Sequence, residues 1–501
     1  MGITSHQDID DWEKQSGQQR IKDIKSKRRL MMKTKKLILT MLVVAVGISW
    51  FFLSQINAEE FKLVPKKRTV DSGETVTGTK VGTGWSTKEN PEEAVKEAVE
   101  MALEGKKDKI PDFAIIFASS GSDMESILST ANNLFKNKTK IYGGTSDSRA
   151  VMTNKGYAKA TERAYEYAKM EGKRSLAVMT ITSKDIVFGV GSANFSDYPS
   201  VQEASKTAIL NAIKNAGKSP KELPQAILIT PGRGMEEEAI EGVEKVIGKN
   251  TPILGGTPGG PTFAVFGENK VYEKGVSLAV IYTKFFVGSI FEGGFEVKDP
   301  NTGIVTKVDG QAIVEIDDKP ALDVYDEWLG GAIGKLYKET PKFDLVRGLL
   351  TLHPLYRKYT SSDGKVYSLF SHPWPKDSTL VERSVSTSTK IKVGERIYLS
   401  HGTWETLMNR VGNLPKMAKI HGKININAKP IFGIGYICAG VLGTIPETER
   451  DKMSLMINYT NNDAPFIAPF TWGEQGYFPR IGNKHGNLLT SFLVIADKGR
   501  R

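Results

Sequence analysis

Four loops in this sequence combine residue types that hold small anions. They are Ser119-Ser120-Gly121-Ser122, Gly143-Gly144-Thr145-Ser146, Gly232-Arg233-Gly234 and Gly255-Gly256-Thr257. Each follows a short apolar run that reads as a strand, and two of them lead into segments of helical periodicity. In α/β sheets ligands settle at the carboxyl ends of strands, where glycines bare backbone N–H groups and helix N-termini favour negative charge. Arg233 adds a planar fork that fits a carboxylate with two hydrogen bonds. A fifth turn, Thr471-Trp472-Gly473-Glu474-Gln475-Gly476, brings Glu474, read either as a structural acid or as the partner of a ligand amine. The expected ligand-binding set is Ser120, Gly143, Gly144, Thr145, Arg233, Gly255, Gly256, Thr257 and Glu474. The same glycines also suit plain tight turns, and both readings stay open at this point.

Signatures of catalysis are absent from the sequence. There is no G-x-S-x-G elbow, no H-E-x-x-H and no G-x-G-x-x-G. Gly217-Lys218-Ser219 resembles the end of a phosphate loop, but Ala212 stands where the first glycine is needed and the stretch follows a helix. His353-Pro354 and His372-Pro373 read as loop features. The single cysteine, Cys438, excludes an internal disulfide and a cysteine-cluster zinc site, and reads as a small buried hydrophobe on an apolar strand. No catalytic residue, metal site or cofactor is therefore assigned.

The elements that must position these loops occur twice. Glu93-Ala94-Val95-Lys96-Glu97-Ala98 resembles Glu203-Ala204-Ser205-Lys206-Thr207-Ala208, and Ala114-Ile115-Ile116 resembles Ala226-Ile227-Leu228. Ile141-Tyr142-Gly143-Gly144-Thr145 matches Ile253-Leu254-Gly255-Gly256-Thr257, and Ser175-Leu176-Ala177-Val178 recurs at Ser277-Leu278-Ala279-Val280. The order is constant and the spacing nearly so, which indicates a duplication. Each copy reads as a Gly-containing strand, an Ala-rich helix, a buried strand, a second helix, a short strand into Gly-Gly-Thr and a closing strand. Asn90, Pro91 and Glu93 form a helix start, as do Ser122 and Glu125. Alternating strands and helices predict α/β layering with largely parallel or mixed sheets. Residues 155–174, extra in the first copy, read as a surface helix. Beyond residue 296 the signal changes to hairpins and mixed elements. Residues 303–316 read as a hairpin turning at Asp309-Gly310, residues 318–329 as a helix, and residues 390–399, 429–439 and 452–457 as strands, giving an α+β domain.

The chain of 501 residues is 40% hydrophobic and 25% charged, which excludes collagen-like, fully disordered and multispan membrane classes. Its net charge of +11 raises the question of nucleic acid. Residues 1–36 hold ten Lys/Arg against five Asp/Glu and precede an apolar stretch over 37–53. A basic flank before an apolar run is a topology signal, placing the N-terminus in the cytoplasm and the body outside. Nucleic acid is not expected as a partner. Two readings compete. One is a single-pass anchor; the other is a signal peptide starting at Met31 or Met32 and cleaved near Ala58, giving a secreted or periplasmic body.

These features together resemble the FIST sensory domain of prokaryotic signal-transduction proteins. The N-terminal part of that family is similar to Val81-Gly82-Thr83-Gly84-Trp85-Ser86, the Pro-started helix, Ala114–Ser119 and Ile141-Tyr142-Gly143-Gly144-Thr145-Ser146. The C-terminal part is similar to residues 432–440 around Cys438, Thr471-Trp472-Gly473-Glu474, and Asn487-Leu488-Leu489-Thr490. Charge and hydropathy mark a basic arm (1–36), a transmembrane or signal-anchor segment (37–57) and a linker (58–79), and the resemblance adds a FIST N-like duplicated α/β domain (80–295) and a FIST C-like α+β domain (296–501). It implies a sensor of small molecules such as amino acids, but supplies no established binding residues. The chain departs from the family pattern in the insert over 155–174, and in Gly440-Val441 where an Arg after the cysteine is expected. It also has no kinase, cyclase or methyl-accepting segment, so an output would pass through a partner. The rival expectations are an enzyme acting in the interdomain cleft and a surface-binding protein with no signalling role.

Overall fold

A strand glycine beneath a helix alanine lets two backbones approach more closely than any larger pair permits, and this device recurs along the chain. In a computed structural model, β1 (Lys80–Ser86) lies under α1 (Pro91–Ala102). A Cβ on Gly82 would sit 1.8 Å from the Ala102 carbonyl oxygen, and one on Gly84 2.0 Å from that of Ala98. The structure describes residues 78–497 except 107–108, 148–149, 160–173, 261, 298–299, 340–342 and 377–379. The basic arm, the apolar stretch, nearly all of the linker and most of the helix expected over 155–174 lie outside the described residues. Among the described residues, no helix is long and apolar enough to cross a membrane.

The first unit continues with β2 (Phe113–Ser119), α2 (Met124–Leu134), β3 (Lys140–Ser146), a hairpin of β4 (Ala150–Thr153) and β5 (Gly156–Lys159), and β6 (Leu176–Thr182). The second repeats this order: β7 (Ile186–Asn194), α3 (Val201–Asn215), β8 (Ala226–Pro231), α4 (Glu236–Ile247), β9 (Ile253–Gly256), the hairpin β10 (Val265–Gly267) and β11 (Lys270–Tyr272), and β12 (Gly275–Thr283). Here Gly189 and Gly191 lie under Ala212 and Ala208.

The duplication read from sequence is in fact a triplication. A third unit opens with β13 (Phe286–Glu292) and is then interrupted. The interruption comprises β14 (Thr302–Asp309), β15 (Ala312–Ile316), β16 (Lys319–Pro320), α5 (Ala321–Trp328), α6 (Ala332–Glu339), α7 (Phe343–Leu352), β17 (Leu355–Thr360), β18 (Val366–Ser371), β19 (Pro373–Pro375), β20 (Val385–Thr387) and β21 (Arg396–Leu399). Its strands form one eight-stranded sheet. The third unit then resumes with α8 (Trp404–His421), β22 (Phe432–Cys438), α9 (Ala439–Thr444), α10 (Glu447–Thr460), β23 (Phe466–Thr471), the hairpin β24 (Glu474–Phe478) and β25 (Gly482–Gly486), and β26 (Thr490–Ala496). Gly288 meets the Ala418 carbonyl, completing the pattern.

Three six-stranded sheets result, each built the same way: β1-β6-β2-β3-β10-β11, β7-β12-β8-β9-β24-β25 and β13-β26-β22-β23-β4-β5. Each unit gives its hairpin to another unit's sheet. The first unit's hairpin joins the third sheet, the second's joins the first, and the third's joins the second. Each sheet has one parallel pair (β2 with β3, β8 with β9, β22 with β23) and is otherwise antiparallel, so the sheets are mixed.

The inner faces of the sheets share one apolar core that includes Phe113, Phe117, Leu228, Ile281, Ile434 and Leu493, while helices cover the outer faces. At its centre the Tyr142 hydroxyl meets Thr230 Oγ1 at 2.6 Å and the Tyr436 hydroxyl at 2.9 Å, which ties all three sheets together. Turns of two or three residues (183–185 and 284–285) join the last strand of one unit to the first of the next. The amino ends of β2, β8 and β22 therefore lie together, with Lys80 entering at the same end. The carboxyl ends of these strands lie together at the other.

Several local expectations change. Asp123, not Ser122, caps α2 by accepting from Ser126 N–H, because the helix starts one residue later. Leu134 and Met235, apolar residues at helix ends, are 37% and 41% exposed. Residues 452–457 are helical within α10, where Arg450, Met453, Ser454 and Ile457 are buried at helical spacing. Of residues 390–399 only Arg396–Leu399 is a strand. The hairpin at Asp309-Gly310 is present as β14–β15.

One buried cation fastens the third unit. Lys419, 1% exposed at the end of α8, donates to Ile426 O at 2.6 Å and to Asn462 Oδ1 at 2.6 Å. Burial pulls its ammonium down to about 8 from 10.5. Between those values the unfolded chain holds more protons than the folded one, so this group makes stability rise with pH. The urea midpoint of wild type should gain on that of Lys419→Met from pH 8 to pH 10; a constant gap would show that the ammonium titrates normally.

Candidate functional site

The expected binding residues all lie at the carboxyl end of the three sheets, on two levels. The upper level is built around Trp472. Its indole Nε1 donates to Asp147 Oδ2 at 2.6 Å, and the Arg233 guanidinium carbon stands 3.8 Å from the ring centre. Arg233 is exposed, on the Gly-flanked turn between β8 and α4, so it presents a cation with one face stacked. Ser120, just past β2, is buried. Its hydroxyl donates to the Thr262 carbonyl and accepts from Thr262 N–H at 3.1 Å, which pins Thr262 beside the end of β2. Gly260 has φ +98° and touches Ser120, so both its backbone conformation and the space around it demand glycine.

The Gly-Gly-Thr motifs lie one level down and are buried. The first glycine of each faces the neighbouring strand. A Cβ on Gly143 would stand 1.8 Å from Ile116 O, and one on Gly255 1.9 Å from Ile229 O. The second glycine admits a borrowed hairpin or its turn. Gly144 faces Ala264 O, and Gly256 faces the Thr471 side chain. The threonines clamp what has been admitted. Thr145 N–H donates to Ala264 O at 3.0 Å, and Thr257 N–H to Gly473 O at 2.9 Å. Close packing thus accounts for the four glycines.

Beneath Thr257 lies a polar network that the sequence did not reveal. Thr257 Oγ1 donates to Glu236 Oε1 at 3.0 Å and accepts from Gln475 Nε2 at 3.1 Å, and Gln475 Nε2 also reaches His485 Nδ1 at 3.0 Å. If Nδ1 accepts that proton, Nε2 carries the ring hydrogen. Asn487 lies beside His485 across Gly473. Glu236 Oε2, Gln475 Oε1, His485 Nε2 and Asn487 Oδ1 are buried and have no partner within the protein. Burial raises the Glu236 carboxyl above the usual carboxylate range, with His485 opposing the shift. Such a set, rich in acceptors, can hold water or the polar groups of a guest.

Glu474 belongs to a neighbouring pair. It is fully buried; its Oε1 accepts from Thr471 Oγ1 at 2.8 Å and its Oε2 from Leu489 N–H at 3.2 Å. Burial drives its carboxyl far above the usual range, and burial together with Glu474 drives the Cys438 thiol up as well. Burial thus favours the protonated form of each, and a thiol raised above its ordinary value is inert. Among the described residues no group of three or more His, Cys, Asp or Glu is placed to hold a metal.

Fold and site together define a mixed α/β protein with a polar, part-buried cluster where three sheets end. Residues 112–319 match the sequence profile of the FIST N domain. That stretch is similar to FIST domains, which are generally sensory. No curated protein matches the chain. Among solved structures, a cyanuric acid hydrolase from A. caulinodans is similar over 43% of this chain and 72% of its own, at 8% identity and a TM-score of 0.25. PurL of T. maritima in complex with ATP is similar over 83% and 72%, at 9% identity and a TM-score of 0.20. At these scores neither likeness bears on fold or activity.

Proposed function

We propose that the protein is an extracytoplasmic sensor of a small carboxylate, such as an amino acid or organic acid. In this reading residues 37–53 anchor it and a partner carries the signal onward. The observation behind the reading is the pairing of levels at one end of the molecule: an exposed Arg233 held on Trp472, above a buried network with four unpartnered polar atoms. Arg233 would take the carboxylate, and the network of Glu236, Thr257, Gln475 and His485 would take the remaining polar groups. Residues at this end come from all three units, so a ligand that favours one arrangement of the units shifts the population toward it.

Thermal-shift measurements on the full chain, with amino acids and small organic acids added singly, test this. A ligand at a hundred times its Kd should raise apparent stability by about 2.7 kcal/mol. Arg233→Ala should weaken the ligand found by roughly 1.5–3 kcal/mol, the range for a charge-assisted hydrogen bond. If no compound shifts the transition, the sensor reading fails; if Arg233→Ala binds as tightly as wild type, Arg233 leaves the site. Intact residues 1–57 in membrane fractions would support the anchor, and a chain beginning after Ala58 would support secretion.

A further inference from the structure

The positive charge of the body collects at the end opposite the candidate site. The turns before β2, β3, β7 and β8 and the segment before β22 carry Lys109, Lys138, Lys184, Lys221 and Lys423, all exposed. Lysines outnumber the carboxylates there, which include Glu104, Asp112, Glu222 and Asp463. The crowding is close: Lys80 and Lys106 together depress the Lys109 ammonium below the ordinary lysine value. Apolar side chains share this end. Leu223, Ile420 and Val187 are 51%, 40% and 37% exposed, and Ile420 borders an open groove of about 760 Å³ with Phe285, Phe286 and Val287.

Lysines around exposed aliphatic side chains suit an interface between water and lipid. The chain supplies the reason for choosing lipid over another polyanion. Lys80, where β1 begins, lies at this same end, and the apolar stretch over 37–53 precedes it by fewer than thirty residues. We infer that the basic end of the body rests on an anionic bilayer surface, its lysines against lipid phosphates and Leu223 and Ile420 at headgroup depth. The candidate site then faces away from the membrane, open to ligand. The inference rests on the anchored reading of residues 37–53, and the experiment separates the two.

Full-length protein is mixed with vesicles of phosphatidylcholine, with or without phosphatidylglycerol. Its lysines are acylated briefly and quantified by mass spectrometry. On anionic vesicles Lys184, Lys221 and Lys423 should react roughly fivefold more slowly, the factor given by about 1 kcal/mol per lysine near such a surface. Reactivity should return in 1 M salt, where the screening length is about 3 Å. Lys392, exposed in the interrupting segment beyond β20, should be unaffected. Equal labelling with and without anionic lipid, or equal protection of Lys392, overturns the inference. Flotation with phosphatidylcholine alone reports the apolar stretch. A chain that floats with Lys184, Lys221 and Lys423 fully reactive refutes the basic surface, whereas a chain that does not float but is protected refutes the anchor.

Discussion

Gly255→Ala is expected to destabilise the protein by roughly 3 kcal/mol or more, at the upper end of what overpacking costs. The added methyl would stand 1.9 Å from Ile229 O and 2.5 Å from Ile229 Cγ2. The first is a strand backbone in the middle of the sheet, so relief requires moving β8 or β9. β9 also carries the hairpin borrowed from the third unit, with Glu474 opposite Gly256 and Gln475 opposite Gly255. The displacement therefore reaches the polar network as well as the core. A loss of this size is a large share of the ~5–15 kcal/mol typical of a folded domain. Urea midpoints give the measurement. Gly348→Ala is the control: it lies exposed in α7 with nothing near its added methyl, and should gain about 0.5–1 kcal/mol through helix propensity. If Gly255→Ala unfolds at the wild-type midpoint, the close approach of β8 and β9 is wrong.

Glu474 provides the second large effect, and its sign depends on pH. In the unfolded chain its carboxyl ionises near 4.5, whereas burial keeps it protonated in the folded protein well above that value. The folded state thus binds the extra proton, and stability from this group is present at low pH and lost as pH rises. His372, which burial pulls down to about 3, acts in the opposite sense between 3 and 6.5, and Lys419 does so from 8 upward. The interval from pH 6.5 to 8 avoids both, and the difference between wild type and a Glu474 variant removes the buried Glu236 from the comparison. There Glu474→Gln should remove a fall of up to about 1.4 kcal/mol per pH unit while keeping an acceptor for Thr471. Compared with Glu474→Gln, Glu474→Ala should cost a further ~3 kcal/mol at every pH, because Thr471 Oγ1 and Leu489 N–H both lose their partner in a buried place. Parallel stability curves for wild type and Glu474→Gln would mean that Glu474 is ionised in the folded protein.

What the sequence disclosed follows from the range of each interaction. The Asn90 cap accepting from Glu93 N–H, with Pro91 in the first turn, is settled within four residues and was readable as such. The Gly-Gly-Thr pair was visible as a repeat, but its cause was not: Gly143 and Gly255 are set by carbonyls more than twenty residues away. The third unit escaped because an insertion of about a hundred residues separates β13 from α8 and destroys the constant spacing. Gly288 under Ala418 was the remaining sign. The buried network was hidden for the same reason. Glu236 and His485 are ordinary surface residue types, and only the exchange of hairpins brings them together. The charge did carry information beyond topology, but its collection at one end needed the folded order of the turns.

The hairpin exchange has a consequence for any one unit taken alone. The outer edge of its third strand would lack a neighbour, and its own hairpin would have no sheet to join. Such a unit could satisfy its hydrogen bonds only among siblings, as a ring of three, and the present chain is that ring written end to end. Linkage frees each position from sameness. The third unit can accept a hundred-residue interruption and carry Trp472, and the second can carry Arg233, while the closure that joins them stays intact. A ring of identical subunits would be bound to three equal corners; this chain is free to make one corner unlike the others.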